Sequence, residues 1–203
     1  EDIWTDEVTE CLAETGAEIL IVPNGSPYWR DKTDERLQVA VARVVETGLP
    51  LIYANQLGGQ DELVFDGASF ALNADRSLAF QMPAFEEAVA LVVYERDGEG
   101  WRCTEGPMAS LAEGAEADWA ACMLGLRDYV DKNRFPGVVL GLSGGIDSAV
   151  VAALAVDALG PERVHCIMMP YRYTSGESLT DAAACAEALG VRYDTVPIAP
   201  AVE

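Results

Sequence analysis

The stretch GVVLGLSGGIDSAV, residues 137–150, decides how this chain is read. Residues 138–142 are an apolar run of strand length. They lead straight into Ser143, Gly144, Gly145, Ile146, Asp147 and Ser148, and a helical pattern follows over 148–159. A helix N-terminus leaves backbone N–H groups unpaired and carries a partial positive charge. Two adjacent glycines let that backbone approach phosphate oxygens with no Cβ in the way. Ser143 and Ser148 add hydroxyl donors, and Asp147 adds an acid. Open α/β sheets bind ligands at the carboxyl ends of their strands. The segment is therefore expected to hold an anion, a phosphate above all. Two common phosphate motifs fail on inspection. No Lys follows the glycines as GxxxxGK[ST] requires, and Gly141, Gly144 and Gly145 lack the GxGxxG spacing. A tight strand-to-helix turn would also want glycine, but it does not account for the two hydroxyls and the acid together.

Working outward, residues 163–168 and 192–196 read as strands and 178–189 as a helix. With 138–142 and 148–159 they give β-α-β-α-β, the pattern of a doubly wound parallel sheet. A helical stretch at about 117–132 precedes it, broken by residues 133–137. Further upstream, 8–15 and 33–47 read as helices, the second with Leu37, Val41, Val44 and Val45 at three-to-four spacing and Gly48 as its stop. Residues 18–22 and 51–54 read as buried strands. Period-two runs at 63–65, 69–72, 77–81 and 88–94 read as strands joined by turns. Residues 95–116 are rich in Gly and acid with weak periodicity, and are expected to be a connector. The expected organisation is an α/β piece over 1–94, a linker over 95–116, and a second α/β unit over 117–203 that stops unfinished.

Composition narrows the function. The chain has 203 residues, 34 acidic and 13 basic, with one His and a formal net charge of -21. Half of it is hydrophobic, so it is not a disordered acidic tail. That charge argues against nucleic acid as a partner. No apolar run reaches the roughly 18 residues of a spanning helix, so no membrane is expected. Cys11, Cys103, Cys122, Cys166 and Cys185 show no CxxC spacing. They read as small hydrophobes in a reducing, cytoplasmic setting. One His and no paired cysteines do not build a usual zinc site.

SGGIDS resembles the PP-loop of the adenine nucleotide α-hydrolase-like ATP pyrophosphatases, which activate a carboxylate or carbonyl as an adenylate. The resemblance implies that Gly141, Leu142, Ser143, Gly144, Gly145, Ile146, Asp147 and Ser148 cradle the ATP phosphates. It also implies that Asp147 helps hold Mg²⁺ on them. The stretch MPYRYTSGESLTDA, residues 169–182, looks like the corresponding stretch of NAD⁺ synthetases. There Arg172 is a candidate contact to ATP, or else a solvated surface cation. Ser178 and Asp181 read as residues that cap and charge a helix start.

The upstream half resembles the C-terminal part of a nitrilase-like α/β sandwich, of the glutaminase type. The matching stretches are EDIW (1–4), ILIVPNGSPY (19–28) and GGQDELVFDG (58–67). Such a domain ahead of a PP-loop is the arrangement of glutamine-dependent NAD⁺ synthetases, and the resemblance covers nearly the whole chain. It implies ATP-dependent amidation of deamido-NAD⁺ to NAD⁺ with ammonia released from glutamine, and a homo-oligomer. In that family the glutaminase Cys, Glu and Lys stand upstream of the position of Glu1. None of the five cysteines here matches the nucleophile motif, so no glutaminase catalytic residue is expected in this chain. Ser26 and Lys32 carry over as glutamine-binding positions; by themselves they read as a turn residue and a surface charge. Glu1, Asp61, Glu62 and Asp66 are candidates to orient that site or line a domain junction. ATP and deamido-NAD⁺ are polyanions, so further cations are expected from residues beyond Glu203 or from a neighbouring subunit. Another PP-loop ligase (GMP synthetase-like or tRNA-modifying), a stand-alone nitrilase-type amidase and a non-catalytic fragment remain as alternatives.

Overall fold

A computed structural model describes residues 3–98 and 100–202. Glu1, an expected site-orienting acid, and Asp2 lie outside the described residues. The structure divides into two compact units. One runs to Gly58 and resumes over Leu63–Ala121; the other takes Gly59–Glu62 and continues from Cys122.

The first unit opens with helix α1 (Glu7–Glu14), strand β1 (Leu20–Asn24), helix α2 (Lys32–Thr47) and strand β2 (Leu51–Asn55). Strands β3 (Leu57–Gln60), β4 (Leu63–Asp66), β5 (Phe70–Leu72) and β6 (Leu78–Gln81) follow. β1 and β2 run parallel, as a strand–helix–strand crossover requires, while β5 and β6 turn back antiparallel, giving the order β1-β2-β5-β6. Alternation along β5 explains its two faces. Phe70 and Leu72 pack with Tyr53, Leu51, Ala40 and Val44 between the sheet and α2. Ala71 points the other way, onto Phe80 and Cys103. Tyr53 and Phe70 stack with ring centroids 5.1 Å apart.

Three sequence expectations change here. The run 88–94 is not a strand throughout: strand β7 (Val93–Asp97) starts only at its end. Its partner β8 (Gly100–Glu105) lies inside the stretch read as a connector. Acid-rich composition hid this hairpin; its inward residues Tyr94 and Cys103 cover Ala71 and Phe80, and Gly98 turns the chain with φ +62°. Residues 106–113 carry no helix or strand. β3 was not foreseen either, because Gly58 and Gly59 offer no β-propensity.

Helix α3 (Gly114–Lys132) leads into the second unit. There follow strand β9 (Val138–Gly141), helix α4 (Ile146–Leu159), a 3₁₀ turn (Pro161–Arg163), strand β10 (Val164–Met168), helix α5 (Gly176–Leu189), strand β11 (Arg192–Thr195) and helix α6 (Ala199–Val202). The three strands are all parallel in the order β11-β10-β9. Because the order never reverses, right-handed crossovers put α4 and α5 on one face. Val164, Cys166 and Met168 of β10 meet Ala152 and Ala155 of α4 and Ala182 and Ala186 of α5 there. The small alanines let the helices sit close to the sheet.

Candidate functional site

The phosphate bend is built by β9 and α4. Leu142 is buried and donates its N–H to the Ile167 carbonyl at 3.0 Å, which fixes the end of β9 against β10. The chain then turns through Gly144 at φ +81°. A Cβ on Gly144 would come within 2.3 Å of the Ser178 carbonyl oxygen at the start of α5. Only glycine suits that position, on both sterics and torsion. Gly145 is extended and caps α4, which begins at Ile146 rather than at Ser148 as the pattern suggested. Asp147 and Ser148 therefore sit in the first helical turn.

The hydroxyls hold the bend rather than point away from it. Ser148 Oγ accepts from the Ser143 N–H at 3.2 Å and donates to the Gly145 carbonyl at 3.0 Å. Ser143 Oγ accepts from the Gly145 N–H at 3.3 Å and lies 3.0 Å from Ser148 Oγ. Among the described residues no acceptor engages the N–H groups of Gly144, Ile146, Asp147 or Ser148. Among the described residues no side chain plugs the bend: Ser143, Gly145, Ile146 and Asp147 are exposed, Ile146 to 76%. The arrangement is a set of open, exposed amide donors at a helix N-terminus, suited to an anion.

Beside the bend lies a cleft of about 410 Å³, lined by Gly141, Leu142, Ser143, Ile167, Met168 and Met169 and by Tyr173, Thr174, Ser175 and Ser178. Its size and mixed lining fit a small organic ligand. Ser178 is not the cap expected of it: Ser175 caps α5, and Ser178, already in the first turn, donates its N–H to Ser175 Oγ at 3.1 Å. Asp181 is exposed one turn further on. Arg172 is exposed, with its guanidinium carbon 4.9 and 5.3 Å from the Tyr171 and Tyr173 ring centroids. It stands next to the cleft in sequence but is not one of its lining residues.

In the first unit, the turn after β1 brings Ser26 and Lys32 onto one structure. Ser26 is 5% exposed and tied on every side. Its N–H donates to Asn55 Oδ1 at 2.9 Å, and its carbonyl accepts from Arg36 Nη2 at 2.7 Å and Asn55 Nδ2 at 3.1 Å. Its Oγ accepts from Arg36 Nε at 3.1 Å. Lys32 is not a surface charge: it is 6% exposed. Its Nζ donates to Glu35 Oε2 at 2.6 Å and lies 3.6 and 4.6 Å from the ring centroids of Trp29 and Trp4. Asp66 is buried and pairs with Arg36 Nη1 at 2.8 Å. Asp61 and Glu62 are exposed in the turn between β3 and β4. Nearby, burial and then the Asp118 carboxylate push the Tyr28 phenol up to about 12, keeping it a neutral donor to Asp118.

Arg36 and Asn55 were not foreseen. The signal was present, because Lys32, Arg36, Ala40 and Val44 recur every fourth residue and form the buried stripe of α2. Leu37 and Val45 of the apolar pattern face outward instead.

Comparison with known proteins agrees with the resemblance drawn from the motifs. The carbon-nitrogen hydrolase family model matches residues 1–102, and the NAD synthase model matches 118–203. The chain is 57% identical over 198 residues to the glutamine-dependent NAD(+) synthetase of Rhodobacter capsulatus, covering 98% of this chain and 36% of that one. The enzyme of the same name from Acinetobacter baylyi is 39% identical over 202 residues, with 100% of this chain and 37% of that one covered. The chain thus spans little more than a third of the length of these relatives. Among solved structures, glutamine-dependent NAD+ synthetase from Acinetobacter baumannii in complex with ADP superposes with a TM-score of 0.90 at 40% identity. That match covers 99% of this chain and 38% of the other.

Proposed function

We propose, from the premise that this chain belongs to the carbon-nitrogen hydrolase family over residues 1–102, that it works in the ATP-dependent amidation of deamido-NAD⁺ to NAD⁺ with ammonia from glutamine. The observation that carries this is the open amides of Gly144, Ile146, Asp147 and Ser148 beside a ligand-sized cleft, in the segment that matches NAD synthase. A carboxylate is a poor acyl donor. Transfer of AMP from ATP to the nicotinate carboxylate gives a mixed anhydride and pyrophosphate, and ammonia then displaces AMP.

In this reading Gly141, Leu142, Ser143, Gly144, Gly145, Ile146, Asp147 and Ser148 receive the triphosphate. The bend is preorganised by its own hydroxyls, so little reorganisation accompanies charge development on the leaving pyrophosphate. The adenosine occupies the cleft, within reach of Arg172. Asp147 is exposed in the first turn of α4, and no group of three or more acids, His or Cys is placed to hold a metal among the described residues. One carboxylate alongside phosphate oxygens and water fits Mg²⁺, which is bound in that way rather than by an all-protein cage. Mg²⁺ would neutralise phosphate charge there. Ser26 and Lys32 belong to the glutamine side, Lys32 as a desolvated cation and Ser26 as the keystone of the turn. The functional border between the halves falls within 95–116. The remaining cations come from elsewhere in a homo-oligomer working in the cytoplasm, since a net charge of -21 repels both nucleotides.

The test is ATP–pyrophosphate exchange by the full-length protein. Exchange that depends on deamido-NAD⁺ is the expected result. Exchange driven only by xanthylate or by tRNA would defeat this reading in favour of another PP-loop ligase.

A further inference from the structure

Arg36 is a cation in the core of the first unit, 2% exposed, one helical turn beyond Lys32 on the buried stripe of α2. Its donors are spent on a single turn of chain and one acid. Nε donates to Ser26 Oγ at 3.1 Å, and Nη2 donates to the carbonyls of Ser26 at 2.7 Å and Pro27 at 3.1 Å. Nη1 pairs with Asp66 at 2.8 Å. Two of these acceptors are main-chain oxygens, so the guanidinium sets the path of the turn and not only a side-chain rotamer.

We propose that Arg36 is the positioning residue of the glutamine subsite, a role that rests on the reading of Ser26 and Lys32 given above. A planar fork can span the Ser26–Pro27 turn while leaving one nitrogen for Asp66. Because Arg36 shares a helix face with Lys32, it fixes the distance between the Lys32 ammonium and the turn. Asp66 supplies the counter-charge that lets the guanidinium stay buried. Arg36 itself has no exposed donor and does not touch the ligand.

The experiment uses the full-length protein and measures NAD⁺ formation with glutamine and, separately, with ammonium as nitrogen source. Arg36→Lys keeps the charge for Asp66 but cannot hold three oxygens of the turn at once. It is expected to raise KM for glutamine about tenfold or more, with kcat within about threefold and ammonia-supported synthesis unchanged. A merely structural residue would instead lower melting temperature and both activities together. Because Arg36→Lys could fail to fold, the double change Arg36→Met with Asp66→Leu is made in parallel. It replaces the buried pair by apolar groups, so that no unpaired charge is left in the core, and still removes every bond to the turn. A raised glutamine KM in every variant that folds supports the inference. A wild-type KM in either folded variant overturns it, and loss of folding in both assigns Arg36 to stability and overturns it as well. A wild-type protein that uses ammonium but never glutamine would instead overturn the underlying reading of Ser26 and Lys32.

Discussion

At the scale of single residues, Gly144 shows how one position can serve two constraints. Its φ of +81° is open to glycine, and the Ser178 carbonyl leaves no room for a Cβ. Gly144→Ala must shift either the bend or the start of α5. We expect it to cost about 1–3 kcal/mol of stability, read by denaturant unfolding, and to weaken ATP binding about a hundredfold or more by calorimetry. Near-wild-type binding would mean that the bend is not where phosphate lands. Gly144 was legible in the sequence because glycine pairs advertise torsional need. Arg36 was not. Charged side chains are assigned to water by default, and only the acid that neutralises it, 30 residues later in sequence, reveals that it is buried.

Among the elements, β11 has the most instructive electrostatics. It forms one side of the three-stranded sheet, and Asp194 on it accepts from His165 of β10 at 2.7 Å. The hydrogen bond from His165, then those from Arg192, hold the Asp194 carboxyl below the usual carboxylate range. A depressed carboxyl contributes stability only while ionised, so the contribution is present above its unfolded-state value and lost as pH falls through the folded one. The expected outcome is a melting-temperature gap between wild type and Asp194→Asn that is open at pH 7 and narrows once pH falls below the ordinary Asp value of about 3.9. A gap that stays fully open at the lowest pH at which both proteins remain folded would contradict this. Strand and helix order in this unit was readable because β9 is an apolar run, β10 is nearly one, and alanine-rich helices follow each of them. The β7–β8 hairpin was not, because its solvent face is acidic and only alternate residues such as Cys103 reach the core. The stripe of α2 was misplaced for the same kind of reason. Hydrophobic pattern finds apolar faces, and this helix buries two cations at its start.

For the molecule as a whole, charge and site pull in opposite directions. The net charge is -21, whereas the open amides at the start of α4 suit an anion. The family motifs made the two-part organisation legible before any coordinates, and the comparisons agree over nearly the full chain. What no motif conveyed is how the turn at Ser26 and Pro27 is held, since that depends on contacts between residues far apart in sequence. None of the described helices is long and apolar enough to cross a membrane.

The central claim is that main-chain amides at 144–148 grip a nucleotide's phosphates. The measurement that tests it most directly is a crystal structure of the full-length protein with ATP and Mg²⁺. The account predicts phosphate oxygens within about 3.2 Å of the amide nitrogens of Gly144, Ile146, Asp147 and Ser148, with adenine in the adjoining cleft. A nucleotide bound elsewhere, with those amides still turned to water, would contradict it.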